Sequence, residues 1–218
     1  MRQADGLVAR MERFVSKRLG TLSRVLILVA CGCLALTFFF PLWHINLVAP
    51  QYRDGLDMWI YSYQLVGGNG GQDIAEINLL NHYIGMAEIH EADFWEMQFL
   101  PFAFGFFALV GLRAAVFGQM HNLIDYLVLF LYFSLFSLAV FVYRLYSYGH
   151  ELRPDAPITV DPFWPTIIGT KQIANMTQTS LPGGGSILVI IALLCMVLAV
   201  FFSRKEPPFY QTHLEAGA

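Results

Sequence analysis

"VLILVACGCLALTFFFPL" at residues 25–42 is an apolar run long enough to cross a bilayer, whose hydrocarbon core takes roughly 20 helical residues. Three later runs have the same character, at 99–117, 123–146 and 187–202. The 218-residue chain is 56% hydrophobic and only 13% charged, which is too apolar for an ordinary soluble domain. The sequence therefore predicts an all-α membrane protein with four transmembrane helices.

Lys and Arg residues beside the spans predict the orientation of the chain. The 1–24 segment carries six basic residues and two acids, and two more basic residues open the tail at 203–218. The 43–97 loop carries one basic residue and eight acids. We therefore expect both termini in the cytoplasm, with the 43–97 and 147–186 loops facing outward and forming a small cap.

Residues 7–19 have apolar side chains at helical spacing with basic residues between them. This pattern is typical of an amphipathic helix that lies on a membrane surface. It is consistent with a cytoplasmic N-terminal segment at 1–24.

"EINLLNHYIGM" at 76–86 is unusually rich in polar chemistry for a loop between spans. Apolar residues at helical spacing predict a short helix over 74–84. Asp73 and Glu76 have the spacing of a capping box at its start, and Gly85 is a natural stop. Asn78 lies one turn before His82 on the same side of this helix.

The second loop, 147–186, is rich in Pro and Gly, and we expect it to be mostly irregular with one short helix in "TIIGTKQIANM". In the first loop, "INLV" and "MWIYSYQLV" have strand-like composition. His150 ends the third span, where it would lie level with His44 at the membrane surface and within reach of His82.

Charged residues near the span ends indicate pairing rather than transport. Arg113 and Asp125 flank the short turn between the second and third spans, and we expect them to be neighbours. Asp125 and Arg144 lie near the ends of the third span, where charges can pair or reach the interface. The spans offer little for a polar pathway, so a transporter is disfavoured.

Candidate metal ligands lie in the outward loops, because Cys31, Cys33 and Cys195 all fall within predicted spans. His82, Met86 and His150 would supply two imidazoles and a thioether, a set that favours copper over hard cations. Asn78 could then orient the second ring nitrogen of His82. The alternative is a helix in which the two asparagines close the loop backbone, His82 is hydrogen-bonded and Tyr83 is buried.

The loop motifs resemble a family of small four-span bacterial membrane proteins whose usual form includes EIN-x-LNHYIGM, YGH-x-L-x-P-x-API and IG-x-K. The resemblance covers roughly 40–180. The genes of this family tend to lie near those for nitrous oxide reductase maturation and other copper proteins of the cell envelope. The matching residues in this chain are Glu76, Asn78, Asn81, His82, Tyr83, Gly85, Met86, Tyr148, Gly149, His150, Gly169 and Lys171. Arg153 stands where the family commonly has an acid.

This resemblance implies an accessory protein of the bacterial inner membrane that binds or hands on copper during maturation of an exported cuproenzyme. The alternative is a metal-free structural or assembly subunit of a membrane complex. Expected partners are the lipid bilayer and other membrane or periplasmic proteins, not nucleic acid. We expect no enzymatic activity, because "GGNGG" lacks the strand–helix context of a phosphate-binding loop and the chain has no nucleophile–base pattern.

Overall fold

The computed structural model describes residues 10–206. The helices are α1 (Thr21–Leu36), α2 (Gln72–Tyr83), α3 (Glu96–Phe117), α4 (Met120–His150) and α5 (Gly184–Phe202), and residues 10–15 are also helical. The strands are β1 (Trp43–Ala49), β2 (Tyr52–Ile60), β3 (Leu65–Gly67), β4 (Gly169–Ile173) and β5 (Met176–Pro182). Residues 7–9 of the expected surface helix and 207–218 of the expected tail lie outside the described residues.

Four helices in the described chain are long and apolar enough to cross a membrane, which confirms that expectation by length and composition. They are Thr21–Phe39, Glu96–Phe117, Met120–His150 and Gly184–Lys205. The 31 residues of α4 give a length of about 46 Å, more than the roughly 30 Å of a hydrocarbon core.

The chain is not all-α, because it also contains an antiparallel sheet in the order β3-β2-β1-β5-β4. β1 and β2 form a hairpin from the first loop, and β4 and β5 form one from the second. The central pairing of β1 with β5 joins the loops, with Ile45 opposite Ser180. The expected short helix in "TIIGTKQIANM" is therefore wrong: the segment forms β4 and turns at Ala174, whose φ is 52°.

The described chain divides into two compact units. The helical unit comprises residues 10–36, 102–134 and 188–206, and the sheet unit comprises Thr37–Pro101 and Leu135–Ile187.

Small side chains and aromatic rings pack the helical unit. Ser23 Oγ donates to the Ala199 carbonyl at 2.8 Å and accepts from Ser203 Oγ at 2.7 Å, which ties α1 to the end of α5. The Phe107 ring lies 5.2 Å from Phe130 between centroids. Close approach through small residues is the usual basis of helix packing in a bilayer, where apolar burial gives little advantage over lipid.

One face of the sheet forms a hydrophobic core with α2. Alternate residues of β1 are buried, from Trp43 to Ala49, and α2 contributes Ile77 and Leu80 to the same cluster, followed by Ile84. This alternation is what a half-buried strand requires. The other face remains at least partly exposed.

The start of α2 differs from the expected capping box. The helix begins at Gln72 behind Gly71, whose φ is 99°, and no side chain caps it. Asp73 is buried instead, where Oδ2 accepts from the Asp57 amide at 2.8 Å and Oδ1 accepts from Asn69 Nδ2 at 2.7 Å. Asp73 therefore fastens α2 to β2, and Glu76 is free to bond elsewhere.

The expected pairing of Arg113 with Asp125 is wrong. The Arg113 guanidinium lies over the Phe117 ring, 5.8 Å from its centroid, and Asp125 is exposed. The ion pair of the described helices is instead between Arg144 and Glu96, with two hydrogen bonds of 2.9 and 3.0 Å.

Candidate functional site

Two of the three sequence motifs meet within the sheet unit, where the end of α2 contacts the second loop. The Arg153 amide donates to the Gly85 carbonyl at 2.8 Å, and the Ile158 amide donates to the Tyr83 carbonyl at 2.9 Å. These two backbone bonds fasten residues 153–158 along the end of the "EINLLNHYIGM" motif. The motif is therefore a junction between the two loops.

Gly85 is required at this junction for two reasons. Its φ of 80° lies in the left-handed region, which favours glycine. A Cβ at this position would also lie 2.8 Å from the Arg153 carbonyl oxygen and 3.0 Å from the Ala156 Cβ. The second loop can approach α2 this closely because residue 85 has no side chain.

Gly149 has a similar role at the end of α4. A Cβ there would lie 2.1 Å from the Phe163 carbonyl oxygen and 2.6 Å from the Pro165 ring. The Phe163 amide donates to the Gly149 carbonyl at 2.9 Å, so this backbone contact is direct. Tyr148 beside it donates its hydroxyl to the Glu88 carbonyl at 3.4 Å.

Asn78 and Asn81 bind the loop that follows α2. The Asn78 amide group accepts from the Ile89 N–H at 2.7 Å and donates to the Ile89 carbonyl at 3.1 Å. Asn81 Nδ2 donates to the Ala87 carbonyl at 3.4 Å. The expectation that Asn78 orients the His82 ring is therefore wrong, since both ends of its amide are used on Ile89.

His82 is exposed and bonded to Arg153, whose Nη2 donates to His82 Nδ1 at 2.7 Å. A guanidinium can only donate, so Nδ1 presents its lone pair to Arg153 and the ring proton is on Nε2. A metal ion at Nδ1 would have to displace this cation.

His150 lies in an aromatic setting. Its ring stacks on Tyr146 at 3.9 Å between centroids and meets Trp164 edge-on at 5.6 Å. Nδ1 lies 3.0 Å from the Tyr146 carbonyl oxygen. A carbonyl only accepts, so Nδ1 is the donor and Nε2 carries the lone pair in the neutral ring.

The expected ligand set is only partly suited to a metal. Met86 is half-buried and packs against the sheet core, while the nitrogens described above for His82 and His150 are bonded to Arg153 and Tyr146. Within residues 10–206 no group of three or more His, Cys, Asp or Glu side chains could hold a metal ion. In this arrangement the three side chains make hydrogen bonds and packing contacts with the protein.

Glu76, Tyr83 and Lys171 also make structural contacts. Glu76 accepts a hydrogen bond from the Tyr52 hydroxyl, and this bond, with some burial and the carboxylate charge, raises the pKa of Tyr52. Tyr83 uses its backbone carbonyl, and the residue is 43% exposed rather than buried. Lys171 Nζ donates to the Trp164 carbonyl at 2.9 Å.

The partly exposed face of the sheet carries a polar cluster whose residues lie outside the sequence motifs. Asp57 Oδ1 lies 2.8 Å from both His44 Nε2 and Asn46 Nδ2, and the His44 ring stacks on Trp59 at 5.3 Å. His44 lies opposite Trp59 in the β1–β2 register, and Asn46 lies opposite Asp57. In the sequence, side chains that alternate between the two faces of a strand along "WHINLV" and "DMWI" are the signal that places these residues on one face. We call these four residues, with Val48 and Leu181 beside them, the open face.

Comparisons of the chain with protein-family models, with curated proteins and with solved structures found no match.

Proposed function

We propose that this chain is an accessory protein of the bacterial inner membrane and acts as a metal-free structural or assembly subunit of a membrane complex. In this proposal both termini are cytoplasmic and the sheet unit is an outward platform for another membrane or periplasmic protein. The proposal does not include an enzymatic activity.

The observation that carries this proposal is the use of the motif side chains. Asn78, Asn81 and His82 direct their polar groups to residues 87, 89 and 153, while Gly85 and Gly149 allow backbones to touch. Because the side chains of the motif join two loops, they support a surface and do not form a reaction centre. The acidic 43–97 loop and the basic flanks of the spans support the outward placement of that surface.

The open face is the part of the platform suited to a partner. Trp59 and His44 present stacked rings, Asp57 and Asn46 present polar groups, and Val48 and Leu181 are 36% and 45% exposed. Aromatic anchors among satisfied polar groups are typical of protein interfaces. Two of the strands that carry this face, β1 and β5, are the ones that join the loops.

A cysteine at Val48 tests placement and docking together. Val48→Cys on the open face and Thr159→Cys on an exposed loop should both react with a membrane-impermeant maleimide added outside intact cells. A bifunctional maleimide should then give one discrete adduct with a second protein from Val48→Cys and none from Thr159→Cys. Labelling from the cytoplasmic side alone, or equal adducts from both sites, would reject the platform.

Copper handling is the second candidate, and one contact favours it. The Nδ1–H of His150 is donated to the Tyr146 carbonyl, which leaves Nε2 as the acceptor. Histidines that bind metals are commonly oriented by such a bond to a backbone carbonyl. If copper is handled here, His150 and Met86 would hold it together with His82 after release of Arg153.

Metal analysis after loading with Cu(I) separates the two candidates. For a metal-free subunit we expect wild type, His82→Ala, His150→Ala and the control His121→Ala to retain the same small amount of copper. Asn78→Ala should lower the melting temperature without changing that amount, because it loses both bonds to Ile89. Stoichiometric copper that is lost in the first two variants but kept in His121→Ala would establish the copper function instead.

A further inference from the structure

An apolar groove runs along the second half of α4 within the sheet unit. It has a volume of about 550 Å³ and is lined by Leu135, Leu138, Ala139, Val142, Tyr143, Tyr146 and Trp164. This volume is within the range of ligand pockets, roughly 300–1,000 Å³. All of its walls except Trp164 belong to a helix long and apolar enough to span a membrane, so lipid is the solvent from which it would be filled.

The two ends of the groove differ in chemistry. Leu135 at one end lies toward the middle of the 31-residue helix, and its side chain is 56% exposed. At the other end, Trp164 touches both Tyr146 and His150, and its carbonyl accepts from Lys171 Nζ at 2.9 Å. Aromatic rings and a lysine at the end of a spanning helix are typical of the level of lipid headgroups.

We propose that this groove is a binding site for a membrane phospholipid. One acyl chain lies along Leu135, Leu138, Ala139 and Val142, and the phosphate lies beside Lys171. Lys171 uses one of its three ammonium hydrogens on the Trp164 carbonyl, so two remain for phosphate oxygens. The His150 ring lies at the same end of the groove, 5.6 Å from the Trp164 ring between centroids.

A phospholipid matches the groove better than a helix from a partner protein. A partner helix would need an acidic side chain at this one level, whereas every phospholipid carries a phosphate at the end of its acyl chains and can meet Lys171 with a charge-assisted hydrogen bond. Ala139 is the smallest residue of the lining and is exposed on α4, so the groove is open to the lipid that would surround this helix.

Native mass spectrometry of the full-length protein in mild detergent tests the proposal, with dioleoyl phosphatidylglycerol as the titrant. Wild type should bind one lipid saturably. Ala139→Trp fills the groove from an exposed position and should weaken this binding roughly tenfold, while Leu129→Trp, on an exposed part of the same helix outside the groove, should not change it.

A second pair of variants tests the phosphate contact. Lys171→Gln should also weaken the saturable binding roughly tenfold, whereas Lys171→Arg should retain it, because Arg keeps the charge and donor capacity. Equal binding by wild type and Ala139→Trp would overturn the proposal. So would binding that never saturates, or an Ala139→Trp effect on oligomer mass without any effect on lipid count.

Discussion

The helical unit and the sheet unit hold themselves together in different ways. In the helical unit, interhelical contacts are made by small and aromatic side chains, and the Ser23–Ser203 link adds one short polar bridge. The sheet unit uses side-chain amides, glycines at close backbone contacts and an ion pair at the end of α4. The short glycine contacts differ in kind: Gly85 and Gly149 of the sheet unit meet backbone atoms, whereas Gly111 of the helical unit meets side chains. Adding a Cβ should therefore cost more where the neighbour is backbone, in the sheet unit.

The largest expected effect comes from adding one methyl group to a glycine. Gly149→Ala places a Cβ 2.1 Å from the Phe163 carbonyl oxygen, and a backbone atom cannot rotate away. We expect a loss of about 3 kcal/mol in the free energy of unfolding, at the upper end for overpacked sites. Thermal unfolding in detergent, followed by near-ultraviolet circular dichroism, measures it.

Gly32→Ala is the matched control, because Gly32 also lies in a helix but has nothing within 4 Å of its Cβ position. There the substitution should be neutral or stabilising by up to about 1 kcal/mol, since alanine favours the helix. Equal losses in the two variants would show that the backbone contact at Gly149 is not the cause of the loss.

The same contrast explains what could be predicted from the sequence. Four spanning helices follow from apolar length alone, since a bilayer leaves few alternatives for such runs. The strand-like stretch "INLV" was visible, but its neighbour β5 lies more than a hundred residues away in the chain. The register that places Ile45 opposite Ser180 depends on packing across that separation, which local composition does not encode.

The candidate site shows a second limit. The motif residues were recognisable because polar side chains are rare in this chain, yet their partners were not. The bond from Arg153 to His82 and the bonds from Asn78 to Ile89 depend on how a loop folds back, and residue type alone is equally consistent with metal binding. The Arg144–Glu96 pair was missed because its two residues lie far apart in the sequence, whereas Arg113 and Asp125 lie close together in the sequence but do not pair.

The next largest effect concerns that ion pair. Glu96→Gln leaves the Arg144 side chain, which is 24% exposed, without its carboxylate partner and with a ring contact to Phe94. Breaking a fully buried pair costs about 3–5 kcal/mol, and the residual exposure reduces our expectation to about 2 kcal/mol. The unfolding free energy in detergent gives the value directly.

Two further variants complete a double-mutant cycle within the sheet unit and add a control from the helical unit. Arg144→Met combined with Glu96→Gln should lose less than the sum of the single changes, because no charge is left unpaired. Asp125→Asn in the helical unit should change stability by no more than about 0.5 kcal/mol, since Asp125 is exposed. Strict additivity in the cycle would mean that the two groups do not interact.

The smallest expected effect is a pH dependence at Tyr52 in the sheet unit. Its hydroxyl donates to Glu76, and this hydrogen bond raises the pKa of Tyr52 above the value of about 10 for an unfolded chain. A raised pKa in the folded state means that the contribution to stability is fully present below about pH 10 and is lost as pH rises through the folded value. Wild type should therefore be more stable than Tyr52→Phe at pH 8, and the difference should shrink as pH approaches and exceeds the raised pKa.

Tyr132→Phe in the helical unit, where the residue is 71% exposed, controls for general alkaline destabilisation. The free energy of unfolding is measured for each variant from pH 8 to pH 11. If the difference between wild type and Tyr52→Phe stays constant across that range, the contribution of the hydroxyl does not depend on its ionisation, and the bond to Glu76 is not the cause of a pH dependence.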